Sequence, residues 1–216
     1  MEIYQEKEKS RTYLPEVRVI LENDIYLKWA LRMLEEINDK GNTLQHSQRM
    51  ANLGFLLARH LNYLKEETEF FVEVNVLHDI GKIEIDSSIL TKPSDIFSEE
   101  DLKKVSQHAL DGFGIVERRD PRAAHIILIH HEFQEKPYPK IDIKTLSLPK
   151  KDMEIARLLA MIDVFDRCAF GATNIKPLPL AQCKARLMEQ FKQEGDEEII
   201  DFLISKYETV KELCRG

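Results

Sequence analysis

Apolar residues recur three and four apart along most of this chain, the period of one helix face, and sustained strand-like alternation is missing. From Asp24 to Asn38 that face is Leu27, Ala30, Leu31 and Leu34; Trp29 and Met33 widen it, and Gly41 follows as a stop. The next segment, Thr43 to about Leu64, places His46, Met50, Leu53, Leu57 and Leu61 on one side, so His46 points inward from the first turn. A third helix, from about Glu66 to Asp79, buries Phe70, Val74, Leu77 and His78 and ends at Gly81. Lys82 to Phe97 carries Pro93 and no sustained period, and reads as an ordered loop anchored by Ile83, Ile85, Ile89 and Leu90. Ser98 with Asp101 three residues on opens a capped helix whose Leu102, Val105, Ala109, Phe113 and Val116 face inward, with His108 beside that stripe. Asp120 before Pro121 starts another, leading into Ala124, Ile127, Leu128 and His131.

After the pair His130 and His131 comes EFQEKPYPKIDIKTLSLPK, whose prolines and scattered apolar residues predict an extended loop at the mouth of whatever the histidines form. From Lys151 to Phe170 the face Ile155, Leu159 and Ile162 ends in a polar residue, Asp163. Two further amphipathic helices, near Leu178 to Lys192 and Asp196 to Leu213, carry no evident ligands and are expected to buttress the core. The pattern predicts an all-α fold in one domain over 1–216, with an N-terminal arm or extra helix over 1–23, a core over 42–170 and C-terminal helices over 177–214.

Composition adds exclusions. Only 8 Gly and 8 Pro argue against a turn-rich β fold. A net charge of -7 with no basic stripe argues against binding polymeric nucleic acid. Cys168, Cys183 and Cys214 are too few and too far apart for a disulfide scaffold or a CxxC knuckle, and read as reduced thiols. The start MEIYQEKEKSR lacks an apolar signal core, and no later apolar run approaches the roughly 18 residues a membrane span needs, so a cytoplasmic location is expected.

The chemistry lies in seven side chains at helix-sized intervals: His46, His78, Asp79, His108, His130, His131 and Asp163. Five of the seven histidines belong to this set, while His60 and His125 read singly as ordinary core or surface residues. Imidazoles with carboxylates suit iron, manganese, zinc, nickel or cobalt better than magnesium, with iron or manganese favoured here. In the string His78-Asp79-Ile80-Gly81-Lys82, His78 can serve one metal while the two oxygens of Asp79 bridge it to a second. Gly81 ends the helix without a side chain and lets Lys82 turn toward an anion.

Through HSQRMA, LHDIGKI, ILTKP, QHALDG, LIHHE and MIDVFD, from about Asn42 to Asp166, the chain resembles the HD superfamily of metal-dependent phosphohydrolases and, within it, the HD-GYP branch. The resemblance implies a helical bundle in which His46, His78, Asp79, His108, His130, His131 and Asp163 ligate metals, Asp79 bridges them and Lys82 contacts substrate phosphate. It further implies a phosphodiesterase acting through a metal-activated hydroxide on a cyclic dinucleotide, cyclic di-GMP foremost, or a related nucleotide. Two metals are expected, because three-metal members commonly carry a Glu one turn before the first His and Asn42 stands there. The chain also departs from the branch. HHEFQEKPYP replaces HHExxDGxGYP, with Glu135 and Lys136 where Asp and Gly are expected, and DVFDRCAFGATNI replaces DVFDALTSDRPYR, without its later arginines. Lys176 is a weak substitute for those arginines, and Lys92 is a second outlying candidate.

The eroded loop motivates a second reading, a weak or inactive signalling or scaffold module that binds metal or nucleotide. A protein signalling partner or a homodimer stays open. Glu132 is either a partner of a ligating His or a solvated charge, and Asp166 either tunes the site or pairs with Arg167. Phe133 and Tyr138 either stack on a base or pack the loop.

Overall fold

The structure, a computed structural model, describes residues 12–39, 42–93, 96–134, 137–172 and 175–214. Gly41, Glu135 and Lys136 lie outside these residues, as do residues 1–11 of the N-terminal arm. Regular structure among the described residues is helical apart from one bridge between Ala172 and Ile175, which agrees with the all-α expectation.

Helix α1, Pro15–Asn23, starts on a proline whose fixed φ suits the first helical position. Buried Asn52 ties the chain before it to the core, accepting from Leu14 N–H at 2.9 Å and donating to the Thr12 carbonyl at 2.9 Å. Helix α2, Ile25–Glu36, is capped by the Asp24 carboxylate, which accepts from the Tyr26 and Leu27 amides. Its buried stripe is narrower than predicted. Trp29 is 38% exposed and stacks on Tyr26, its ring 5.1 Å away.

Helix α3, Asn42–His60, and helix α4, Lys65–Leu77, form the most extensive helix pair, joined by a short turn. Helix α4 buries Phe71, Val72, Val74, Val76 and Leu77, and its far side is only partly covered at Phe70, predicted to be a core residue. It closes at His78. The segment read as a loop after it holds a 3-10 turn, Ile80–Glu84, and a short helix α5, Ser87–Leu90, with Ile85 and Ile89 buried as anchors.

Helix α6, Glu99–Val116, opens on the predicted capping box, Ser98 accepting from the Asp101 amide and Asp101 from the Ser98 amide. Its inward face is one step rotated from the reading above. Asp101, His108, Ala109, Gly112 and Val116 are buried, so His108 lies at the centre of the stripe, while Leu102 is 54% exposed. Packing against the 3-10 turn explains the rotation, because it rewards the smallest residues at the contact. A Cβ on Gly81 would sit 2.0 Å from the His108 carbonyl oxygen and 2.5 Å from the Gly112 nitrogen. Gly81 is therefore required for backbone-to-backbone approach rather than for a left-handed helix stop.

Helix α7, Pro121–Leu128, begins on Asp120, which accepts from the Arg122 and Ala123 amides, and ends just before the His130–His131 turn. A second 3-10 turn, Ile143–Leu146, interrupts the long loop that follows. Helix α8, Lys150–Phe170, is buried along most of its length and packs on α3, α4 and α7. Helices α9, Leu180–Gln190, and α10, Asp196–Leu213, pack on each other and on α8, and α10 also packs on α3. No helix among the described residues is long and apolar enough to cross a membrane.

Candidate metal centre

The fold delivers the seven predicted residues from five places. His46 comes from the second turn of α3, His78 and Asp79 from the end of α4, His108 from mid α6, His130 and His131 from the turn after α7, and Asp163 from α8. All seven are buried, and all but His46 completely. They gather in two groups, His46 with His78 and Asp79, and His108 with His130 and His131; within each, one donor atom per residue lies within 4.8 Å of the others.

Asp79 stands between the groups. Its Oδ2 lies 3.4 Å from His78 Nε2 and 3.6 Å from His46 Nε2, while Oδ1 lies 3.1 Å from His108 Nε2. Asp163 Oδ1 is 3.2 Å from His46 Nε2. His108 Nε2 is 3.2 Å from His131 Nε2 and 3.5 Å from His130 Nε2.

Proton positions follow from the carbonyls. His78, His108 and His130 place Nδ1 at 2.9, 2.6 and 2.5 Å from the carbonyl oxygens of Asn75, Val105 and Ile127. A carbonyl only accepts, so Nδ1 carries the hydrogen and, in the neutral ring, Nε2 is left as a bare lone pair. The bare Nε2 atoms of His108 and His130 then face each other, and buried Asp79 Oδ1 and His131 Nδ1 have no hydrogen-bond partner. Buried acceptors aimed at one another without donors are costly, and a cation between them removes the conflict. The donor set thus fits divalent transition metals.

Charge around the groups is uneven. Burial by itself would raise the Asp79 pKa, but the Lys82 ammonium beside it outweighs burial and holds the carboxylate well below its usual range. Asp163 is likewise held low against burial, chiefly by Arg167, whose Nε donates to Oδ1 at 2.7 Å; Gln134 Nε2 donates to Oδ2 at 2.8 Å. His46 is pushed down by burial and pulled up more strongly by Asp166 and Asp163, so its pKa is raised. His130 and His131 are driven well below the usual imidazole value by burial and by their histidine neighbours.

Asp166 is the main residue around the site that the sequence left undecided. Its Oδ2 takes His46 Nδ1 at 2.6 Å, and its two oxygens accept Arg49 Nε and Nη2 at 2.6 and 2.8 Å, so its partners are His46 and Arg49 and not Arg167. The sequence does carry a signal for this, since Arg49 follows His46 by three residues on one face of α3 and Asp166 follows Asp163 by three on α8. Glu132 is only partly buried and makes no hydrogen bond to a histidine among the described residues. Lys92 pairs with Asp101 at 3.0 Å and Lys176 is exposed. Tyr138 lies over His131, ring centroids 4.1 Å apart. His60 stacks on Phe202 and His125 bonds the Pro121 carbonyl, both away from the centre.

A cavity of about 170 Å³ opens beside the first group, lined by Asp39, Thr43, His46, Arg49, Lys82 and Arg167 among others.

Comparison with known proteins agrees with this architecture. The cyclic di-GMP phosphodiesterase response regulator RpfG of Xanthomonas campestris pv. campestris is 26% identical over 179 residues, 81% of this chain and 46% of that protein. A cyclic di-GMP phosphodiesterase of Thermotoga maritima is 32% identical over 161 residues, 70% of this chain and 41% of that one. The chain thus spans less than half the length of these curated relatives. Among solved structures, the HD domain of the L. monocytogenes phosphodiesterase PgpH, crystallised in complex with cyclic-di-AMP, shares the fold with a TM-score of 0.58 at 19% identity, over 83% of this chain and 96% of that one. The HD domain family model matches residues 43–171, a stretch that takes in all seven clustered side chains, and the chain belongs to the HD domain family.

Proposed function

We propose that this chain is a metal-dependent phosphodiesterase of the HD-GYP type that opens a cyclic dinucleotide, with cyclic di-GMP the leading substrate. The observation that carries the reading is the division of Asp79, whose two oxygens address separate groups of buried histidines. Asp79 would bridge two cations, with His46, His78 and Asp163 serving one and His108, His130 and His131 the other. Iron or manganese suits such a set, and zinc, nickel or cobalt is compatible with it. When bound, paired cations supply Lewis acidity at phosphoryl oxygens and activate water for attack on phosphorus.

The chain's own residues do the rest. Asp166 orients His46 and carries the charge of Arg49. The carbonyls of residues 75, 105 and 127 fix three imidazoles with Nε2 inward. Lys82, at the rim of the cavity and 13% exposed at its side chain, offers an ammonium to a phosphate beside the centre. The names of the relatives and the ligand of the PgpH complex support a cyclic dinucleotide as the substrate class.

Anaerobically purified protein tests the reading by elemental analysis beside hydrolysis of bis(p-nitrophenyl) phosphate and cyclic di-GMP. About two transition-metal ions per chain with turnover are expected, and metal without turnover on either ester favours the scaffold reading instead. Lys82→Ala should keep the metal while lowering kcat/KM on both esters about tenfold or more.

A further inference from the structure

Three cations line the cavity beside the candidate centre, and their engagements differ. Arg49 has its fork on both oxygens of Asp166. Lys82 holds its ammonium on Asp79. Arg167 binds Asp163 through Nε alone, and its two terminal nitrogens have no hydrogen-bond partner among the described residues. Its side chain is 38% exposed although its carboxylate partner is wholly buried. A guanidinium pinned at Nε presents its remaining donors in a fixed direction, the fork that fits two oxygens of a phosphate. The anchor places it close to the centre, since Asp163 Oδ1 is itself 3.2 Å from His46 Nε2. No other arginine follows until Arg186, on α9, and the loop between offers only the exposed Lys176.

We propose that Arg167 binds phosphoryl oxygens of the substrate with its two terminal nitrogens, in the cavity that Lys82 also lines. The inference rests on the phosphodiesterase reading of the centre and names a residue of this chain that grips the ester. Asp163 then has two roles. It faces the centre with His46, and it aims Arg167.

The test uses the metal-loaded full chain as wild type, Arg167→Gln and Arg167→Lys, with inorganic phosphate as the probe in titration calorimetry and elemental analysis on the same samples. Arg167→Gln is expected to keep the wild-type metal-to-protein ratio and to bind phosphate about tenfold to a hundredfold more weakly, the range for losing charge-assisted hydrogen bonds. Arg167→Lys should fall between, because it keeps the charge and loses the fork. On cyclic di-GMP, KM should rise in the same order as the phosphate affinity falls. Unchanged phosphate affinity in Arg167→Gln overturns the proposal. So does a loss of metal that parallels the loss of affinity, which would assign Arg167 to holding Asp163 alone, and so does a wild-type chain that binds no phosphate. Arg167-dependent phosphate binding in a chain that hydrolyses neither ester would sink the phosphodiesterase reading and leave the Arg167 assignment standing.

Discussion

The two histidine groups share Asp79 yet are supported differently. Around His46, His78 and Asp163 lie side-chain ions, with Arg49 and His46 on Asp166, Arg167 on Asp163 and Lys82 on Asp79. Around His108, His130 and His131 the support is main-chain carbonyl for two rings and an aromatic neighbour, Tyr138, for the third. The first group is therefore preorganised by charge that persists without metal. In the second, burial and neighbouring rings keep His130 and His131 from taking a proton, and His131 retains an unpartnered imidazole nitrogen. Structural integrity should depend more on the first group and metal stoichiometry on both.

Asp79→Ala should erase the distinction, since no neighbouring acid replaces the bridge. Bound metal and hydrolysis are expected to fall to background together, as read by elemental analysis and phosphodiester turnover. Retained metal with near-normal activity would break the bridging assignment.

Asp166→Asn strikes the first group from behind. It leaves the Arg49 guanidinium buried without its counterion, a change that costs about 3 kcal/mol or more where buried pairs are broken. Chemical denaturation of metal-free protein should show it. A loss below about 1 kcal/mol would mean that water screens this pair as it does surface ones.

His131→Asn is the matching change in the second group. Metal-free stability should drop by only about 1 kcal/mol, the scale of one neutral hydrogen bond, while metal content falls from two ions toward one. Equal stability losses for Asp166→Asn and His131→Asn would end the contrast between the groups.

The gentlest probe is pH, on metal-free protein. His130 and His131 have folded-state pKa values depressed below 6.5, so their contribution is present above that value and fades as pH falls below it. Asp79, Asp163 and Asp166 are depressed below 3.8, so theirs is lost only in stronger acid. His46, raised, works in the opposite sense and adds stability below pH 6.5. The melting temperature should decline from pH 7.5 to 5.5, more shallowly in His131→Asn, and steepen again below pH 4. A rise across the first interval would show that His46 outweighs the second group.

Much of this was legible because each candidate ligand belongs to a local pattern. His46 rides the face of Met50, Leu53 and Leu57, and Asp163 ends that of Ile155, Leu159 and Ile162, so helical period alone turned them inward. Partners were harder to read. Arg49 and Asp166 are 117 residues apart, and the one cue to their pairing, that each follows a candidate ligand by three residues, is weaker than the adjacency of Asp166 and Arg167. Trp29 and Leu102 misled for a related reason. Hydrophobicity sets a preference for burial, but which flank of a helix meets a neighbour is decided by the neighbour, as Gly81 and Gly112 decide it for α6.

That contact at Gly81 has a bearing on which ions the centre accepts. Because main chain touches main chain there, with no side chain to compress or rotate, Asp79 on one side and His108 on the other are held as if on a single rigid jaw. Adjustment to ions of different radius is thus confined to side-chain torsions and to the turn carrying His130 and His131. For the two ions proposed above the jaw would work as a gauge, and selectivity among metals would become a property of backbone spacing as well as of ligand type.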